Sequence, residues 1–123
     1  MLEATPAYLY SRTALERLPD LASRPRFLFV LREPGSQIHS MFRYFQHNWQ
    51  MLPAEMTFDD YLSLPRLRSE RLAHNPLLRH ALDYARYVDY LLQWRSRCGP
   101  DRIQVRLYDE LRRSPSGFVR GVC

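Results

Sequence analysis

Two side chains in this sequence have types and spacing suited to holding an anion: Arg32 and Ser40, eight positions apart in the run LREPGSQIHS. A guanidinium presents a planar fork of N–H donors that matches the oxygens of a phosphate or sulfate, and a hydroxyl adds one more donor. That chemistry is recognition and not proton transfer, because arginine stays charged at any working pH. On residue chemistry alone Arg32 has a second use, as the ion-pair partner of Glu33, Asp109 or Glu110.

The elements that would position this pair can be read on either side of it. Arg26 to Leu31, RFLFVL, is an apolar run of strand length without a polar break, which suits a strand covered on both faces in a parallel sheet. Arg32 then falls where the strand stops, and ligands of open parallel sheets bind at the carboxyl ends of strands. Pro34 fits the first turn of a helix, where its missing N–H costs nothing. Ile38, Met41, Phe42, Phe45 and Trp49 recur at three- and four-residue steps, so one face of that helix is predicted to pack inward. The helix start is expected to offer unpaired N–H groups and a positive dipole end. Ser40 lies about two turns in, off the apolar stripe, and helical side chains lean back toward the N-terminus.

The remaining chain supplies the frame. Thr5 and Pro6 predict a helix start, with a short helix from Ala14 to Leu18 and a linker bounded by Pro19 and Pro25, all read as connecting structure. TFDDYLSL predicts a short helix capped by Thr57, followed by the polar, arginine-rich loop PRLRSERLAHNP. Leu77 to Arg97 is the longest helix candidate. It carries two apolar stripes, Leu78, Leu82, Ala85, Val88 and Leu92 beside Tyr84, Tyr87, Leu91 and Trp94, which together predict a wide buried face ended by Gly99 and Pro100. Ile103, Val105 and Leu107 alternate as a second strand, and DELRRSP reads as a short helix after it. Strand, helices, strand, helix is the order of a parallel α/β sheet flanked by helices.

Composition narrows the function. With 123 residues, 46% of them apolar, the chain fits one globular domain. Its net charge of +5 comes from 18 basic residues that are all arginine, so anion binding is available and lysine chemistry is excluded. No apolar run approaches the ~20 residues that cross a bilayer, and the N-terminus lacks the layout of a signal peptide, so a soluble cytoplasmic protein without membrane partners is expected. Cys98 and Cys123 show neither metal nor disulfide spacing, and Cys98 reads as an inert thiol at a helix end. His39, His47, His74 and His80 have no metal spacing and read as surface residues, with a substrate-cleft position as the alternative for His39 and His47; Asp59 with Asp60, and Asp109 with Glu110, read as acids complementing helix starts. Arg66, Arg68 and Arg71 form a solvated loop face able to steer an anionic substrate.

Three stretches, in order, resemble one family. LREPGSQIHS, with Arg32 and Ser40, resembles the second nucleotide-binding signature of sulfotransferases that use 3′-phosphoadenosine 5′-phosphosulfate (PAPS). EATPAYLYS, Glu3 to Ser11, resembles the E-x-(S/T)-P-x-Y segment ahead of the strand in bacterial and heparan-type members. YARYVDYLLQW and RIQVRLYDELRRSP resemble the helix, strand and Y-E-D-L-x-x-x-P segment that follow. The resemblance implies a P-loop-type parallel sheet, with residues 1–123 as the central part of a single sulfotransferase domain. It further implies that Arg32 and Ser40 grip the 3′-phosphate, that Tyr84 stands where some members place an adenine-contacting aromatic residue, and that no metal takes part. The complete domain would pass a sulfuryl group from PAPS to a hydroxyl or amine of a carbohydrate, lipid or small molecule, and would bind no nucleic acid. In the family the lysine-bearing phosphate loop and the catalytic base precede the E-x-(S/T)-P-x-Y segment, and a basic-glycine loop lies later. The 123 residues are therefore expected to lack turnover alone, with the catalytic residue unknown, and to be marginal or prone to association. Heparan-type members often have lysine where this chain has Ala4. Two rival readings are a non-catalytic, arginine-rich module for nucleic acid or another polyanion, and a degenerate remnant.

Overall fold

A computed structural model describes residues 3–63 and 80–122. In chain order these form a 3-10 turn at Tyr8–Tyr10, α1 (Arg12–Arg17), a second 3-10 turn at Leu18–Asp20, β1 (Phe27–Leu31), α2 (Pro34–His47), α3 (Phe58–Ser63), α4 (Ala81–Tyr84), α5 (Tyr87–Cys98), a 3-10 turn at Pro100–Arg102, β2 (Ile103–Leu107), α6 (Tyr108–Arg113) and α7 (Pro115–Val122). They divide into two compact units, one made of Met1–Arg32 with Tyr87–Cys123 and the other of Glu33–Arg86. Residues 64–79, with Arg66, Arg68, Arg71 and His74, lie outside the described residues.

In the first unit β1 and β2 pair in parallel, from Phe27 beside Ile103 to Leu31 beside Leu107. Their crossover is the sequence-predicted α/β connection. Trp94 of α5 is the centre of the core: it is 1% exposed and packs its ring 4.8 Å from that of Phe27 and 5.3 Å from that of Phe29. Its indole N–H donates to the Leu9 carbonyl at 3.0 Å, so the one polar atom of the ring is satisfied.

That bond corrects the reading of the N-terminal stretch as connecting structure. Leu9 and Ala14 are buried members of the Trp94 core, with Tyr8, Tyr10, Leu15 and Leu18 packed around them. α1 is capped by Ser11, whose hydroxyl accepts the Ala14 N–H, and not by Thr5. Thr5 and Tyr8 instead donate their hydroxyls to the Glu3 carboxylate, closing the E-x-T-P-x-Y segment on itself. Arg102 ties the linker ahead of β1 to the start of β2 by donating to the carbonyls of Pro19 and Pro25.

β1 is covered on one face only. Phe27, Phe29 and Leu31 pack toward Trp94, while Leu28 and Val30 are 37% and 40% exposed. Helix α5 covers the first face. On the other, α7 reaches β2, where Gln104 donates to the Gly121 carbonyl and Arg106 lies over Phe118.

The expected long helix is broken at Ala85 and Arg86, so α4 and α5 are separate. Neither residue is a helix breaker. The two halves serve different cores, Ala81 packing with the second unit's core and Tyr87 with Trp94. Of the two predicted stripes, Tyr87, Leu91 and Trp94 turn inward, whereas Val88 and Leu92 are 59% and 58% exposed. Gly99 ends α5 with φ 84°, a left-handed conformation that glycine adopts without a Cβ penalty.

The second unit is built on α2, whose Phe42 and Phe45 are buried with Leu52 and Tyr61, flanked by Ile38, Met41, Met56 and Phe58. Trp49 falls past the end of the helix and stays half in solvent against Tyr44 and Phe45. The Gln46 amide nitrogen lies 2.9 to 3.1 Å from the carbonyls of Pro53, Ala54 and Met56, pinning the following loop to α2. α3 is capped reciprocally, as TFDDYLSL predicts. The Thr57 hydroxyl accepts the Asp60 N–H, and the Asp60 carboxylate accepts the Thr57 hydroxyl and N–H. Those bonds, the hydroxyl's first, hold the Asp60 carboxyl below its ordinary range. Among the described residues no helix is long and apolar enough to cross a membrane.

Candidate functional site

Arg32 follows β1 directly and belongs to the first unit. Because Leu31 pairs with Leu107, the residues that leave the two strands, Arg32 and Tyr108, come together. The Arg32 guanidinium lies over the Tyr108 ring, 5.5 Å from its centroid, within cation–π range.

Two of the three acids that could neutralise Arg32, Glu110 and Glu33, are engaged elsewhere. Glu110 accepts the Leu107 N–H at 3.1 Å through one carboxylate oxygen and pairs with Arg106 at 2.8 Å through the other. Glu33 turns into the start of α2, accepting the N–H groups of Gly35 at 2.8 Å and Ser36 at 2.6 Å. Asp109 is exposed and forms no ion pair among the described residues. Also among the described residues, the Arg32 side chain makes no ion pair and no hydrogen bond. Of the two uses open to Arg32 in the sequence, the ion pair is therefore not the one adopted.

Ser40 sits in the second unit, half-buried on α2, and its hydroxyl makes no hydrogen bond among the described residues. The start of that helix differs from expectation. Its first N–H groups are not unpaired: the Glu33 carboxylate caps two of them and sets a negative charge against the positive dipole end. Gly35 accommodates this cap closely, since a Cβ there would stand 3.2 Å from a Glu33 carboxylate oxygen. The helix mouth is thus filled by the chain's own acid, and an anion would rely on side chains.

Tyr84 is half-buried at the end of α4, its ring 5.7 Å from that of His80. His39 stands edge-on to Phe58 at 5.0 Å, and His47 is exposed at the end of α2. Cys98 is half-buried at the end of α5, and burial pushes its thiol pKa up, away from thiolate reactivity. Among the described residues no group of three or more His, Cys, Asp or Glu side chains is gathered as a metal would need.

Tyr108 is the residue that sequence reasoning gave no role. The signal was present in the pairing of two parallel strands, which sets the residues after each strand side by side, but register cannot be read from either strand alone.

The Arg32 guanidinium in the first unit and the Ser40 hydroxyl in the second each have donors not engaged among the described residues. No family model matches the sequence. No curated protein matches it either. The fold is similar to the crystal structure of a sulfotransferase from Alicyclobacillus acidocaldarius, with a TM-score of 0.80 at 21% identity, over 95% of this chain and 45% of that one. The chain spans less than half the length of that protein, and the likeness is one of fold.

Proposed function

We propose that this chain is the nucleotide-anchoring part of a sulfotransferase that uses PAPS, with Arg32 and Ser40 gripping the 3′-phosphate. The observation that carries this reading is the state of Arg32. Of the other half-buried arginines among the described residues, Arg106 has an acidic partner and Arg102 has carbonyl acceptors. Arg32, at the carboxyl end of a parallel strand, has neither among the described residues. The sequence pattern around it and the likeness of fold support the same assignment.

The nucleotide would supply the sulfuryl group that passes to an acceptor hydroxyl or amine. The chain's own part is positioning. Arg32 offers two N–H donors in a plane to the phosphate oxygens, Ser40 offers one O–H, and Tyr84 offers an aromatic face to the base. None of these groups moves a proton, so the 123 residues by themselves bind nucleotide without turning it over.

Calorimetry with 3′,5′-adenosine bisphosphate, set against a random oligonucleotide, tests the proposal. Saturable nucleotide binding that is lost in Arg32→Ala is expected. Salt-sensitive oligonucleotide binding with no response to the nucleotide would sink it.

A further inference from the structure

We infer that Arg43 is a second cationic contact for the same 3′-phosphate, reaching it from the helix face that carries Ser40. The inference rests on the reading of Ser40 as a 3′-phosphate contact and adds the charge that this reading lacks on α2.

A phosphate monoester carries about −1.5 to −2 charges near neutral pH. Within the second unit Ser40 brings only a neutral hydroxyl to that charge. The mouth of α2 brings little more, because the N–H groups of Gly35 and Ser36 already go to the Glu33 carboxylate. A neutral hydroxyl on a helix capped by an acid is a poor anion site by itself, so a cation close to Ser40 is needed if α2 is to hold a phosphate.

The sequence of α2 puts one there. Ile38, Met41, Phe42 and Phe45 belong to the core, Gln46 pins the following loop, and Tyr44 packs on Trp49. Ser36, Ser40, Arg43 and His47 follow one another at steps of four, three and four along another face of the same helix. Residues three apart on a helix have Cβ atoms about 5–6 Å from each other, and helical side chains lean toward the N-terminus. The Arg43 stem therefore projects back alongside Ser40. Arg43 is exposed, and its side chain makes no ion pair and no hydrogen bond among the described residues. Arg86, the other arginine described in this unit, is engaged.

A guanidinium and a hydroxyl one turn before it suit the oxygens of a single phosphate, the first giving charge and two planar donors, the second one O–H. An arginine kept only to solvate the helix surface would be indifferent to which nucleotide is bound, and that difference is what the test reads.

Calorimetry compares 3′,5′-adenosine bisphosphate with adenosine 5′-monophosphate. Arg43→Gln is expected to weaken the bisphosphate about three- to tenfold and to leave the monophosphate within about twofold. Arg95→Gln, which removes an exposed arginine of the first unit, measures the effect of net charge alone and is expected to leave both within about twofold. Thermal melting should match the wild type in each case, and Arg43→Ala repeats the measurement if Arg43→Gln folds poorly. Wild-type bisphosphate affinity in the Arg43 variants, with Ser40→Ala weakened, overturns the contact and leaves the reading of Ser40 standing. Equal weakening of both nucleotides, or a loss that Arg95→Gln reproduces, overturns it as well. A wild-type chain that does not prefer the bisphosphate overturns the 3′-phosphate reading itself, and the role of Arg43 with it.

Discussion

Arg106 and Arg32 stand near the carboxyl ends of two paired strands, and they are treated in opposite ways. Arg106 is held by Glu110 and by the ring of Phe118, with its side chain 28% exposed. Arg32 rests on the Tyr108 ring and makes no ion pair among the described residues. An arginine that serves the fold is neutralised by it, since leaving a half-buried charge unpaired is costly. An arginine left without an acidic partner at a strand end keeps its N–H donors available, which is why the proposed phosphate contact is placed on Arg32.

This contrast can be broken by substitution. The largest effect expected is on binding: Arg32→Ala should cost about 1.5–3 kcal/mol of affinity for 3′,5′-adenosine bisphosphate, the value of a hydrogen bond to a charged group, while the melting temperature moves by only about 3 °C. Arg106→Ala should do the reverse. It removes the ion pair and the cover over Phe118, so a stability loss of about 1–2 kcal/mol in denaturant titration is expected, with nucleotide affinity within about twofold. If Arg106→Ala weakened binding as much as Arg32→Ala, the division between the two arginines would be wrong.

Glu33 sharpens the contrast further, because it caps α2 at the cost of a negative charge close in sequence to Arg32. Glu33→Ala should lower stability by about 1 kcal/mol through the lost cap and raise bisphosphate affinity several-fold, read in one melting curve and one calorimetric titration. A loss of affinity would mean that the cap organises the site instead of opposing the anion.

The smallest effect concerns Tyr61, a polar group with unmet bonding capacity that is not expected to bind anything. It is 2% exposed and its hydroxyl has no hydrogen-bond partner among the described residues, and burial raises its pKa from 10.0 to about 12. The folded chain keeps this proton where the unfolded chain loses it, so the stability it supports is complete below pH 10.0 and falls as pH rises toward about 12. Tyr61→Phe should remove that slope in pH-dependent unfolding, raise stability at neutral pH by up to about 1 kcal/mol, and leave nucleotide binding unchanged.

The strand-to-helix junction around Arg32 was legible because its determinants are local: an unbroken apolar run, Pro34 at the first turn, and apolar residues at helical spacing. The cap on α3 was legible for the same reason, Thr57 and Asp60 being three positions apart. What escaped the sequence depended on distant partners. Leu9 and Ala14 form a core only because Trp94 packs with them, reaching Leu9 across 85 positions. The break between α4 and α5 follows from two separate cores, which periodicity within one segment cannot distinguish. At the site, the types of Arg32 and Ser40 pointed to an anion. The filling of the helix mouth by Glu33 and the approach of Tyr108 depended on a rotamer and a register, and neither is written in residue type.

A double-mutant cycle on Arg32→Ala and Ser40→Ala, read as calorimetric affinity for 3′,5′-adenosine bisphosphate, tests the central claim most directly. If both side chains grip one phosphate, each change weakens binding and the two together are non-additive by at least about 0.5 kcal/mol. Additive losses, or no loss from Ser40→Ala, would contradict a shared phosphate and leave Arg32 without the partner proposed for it.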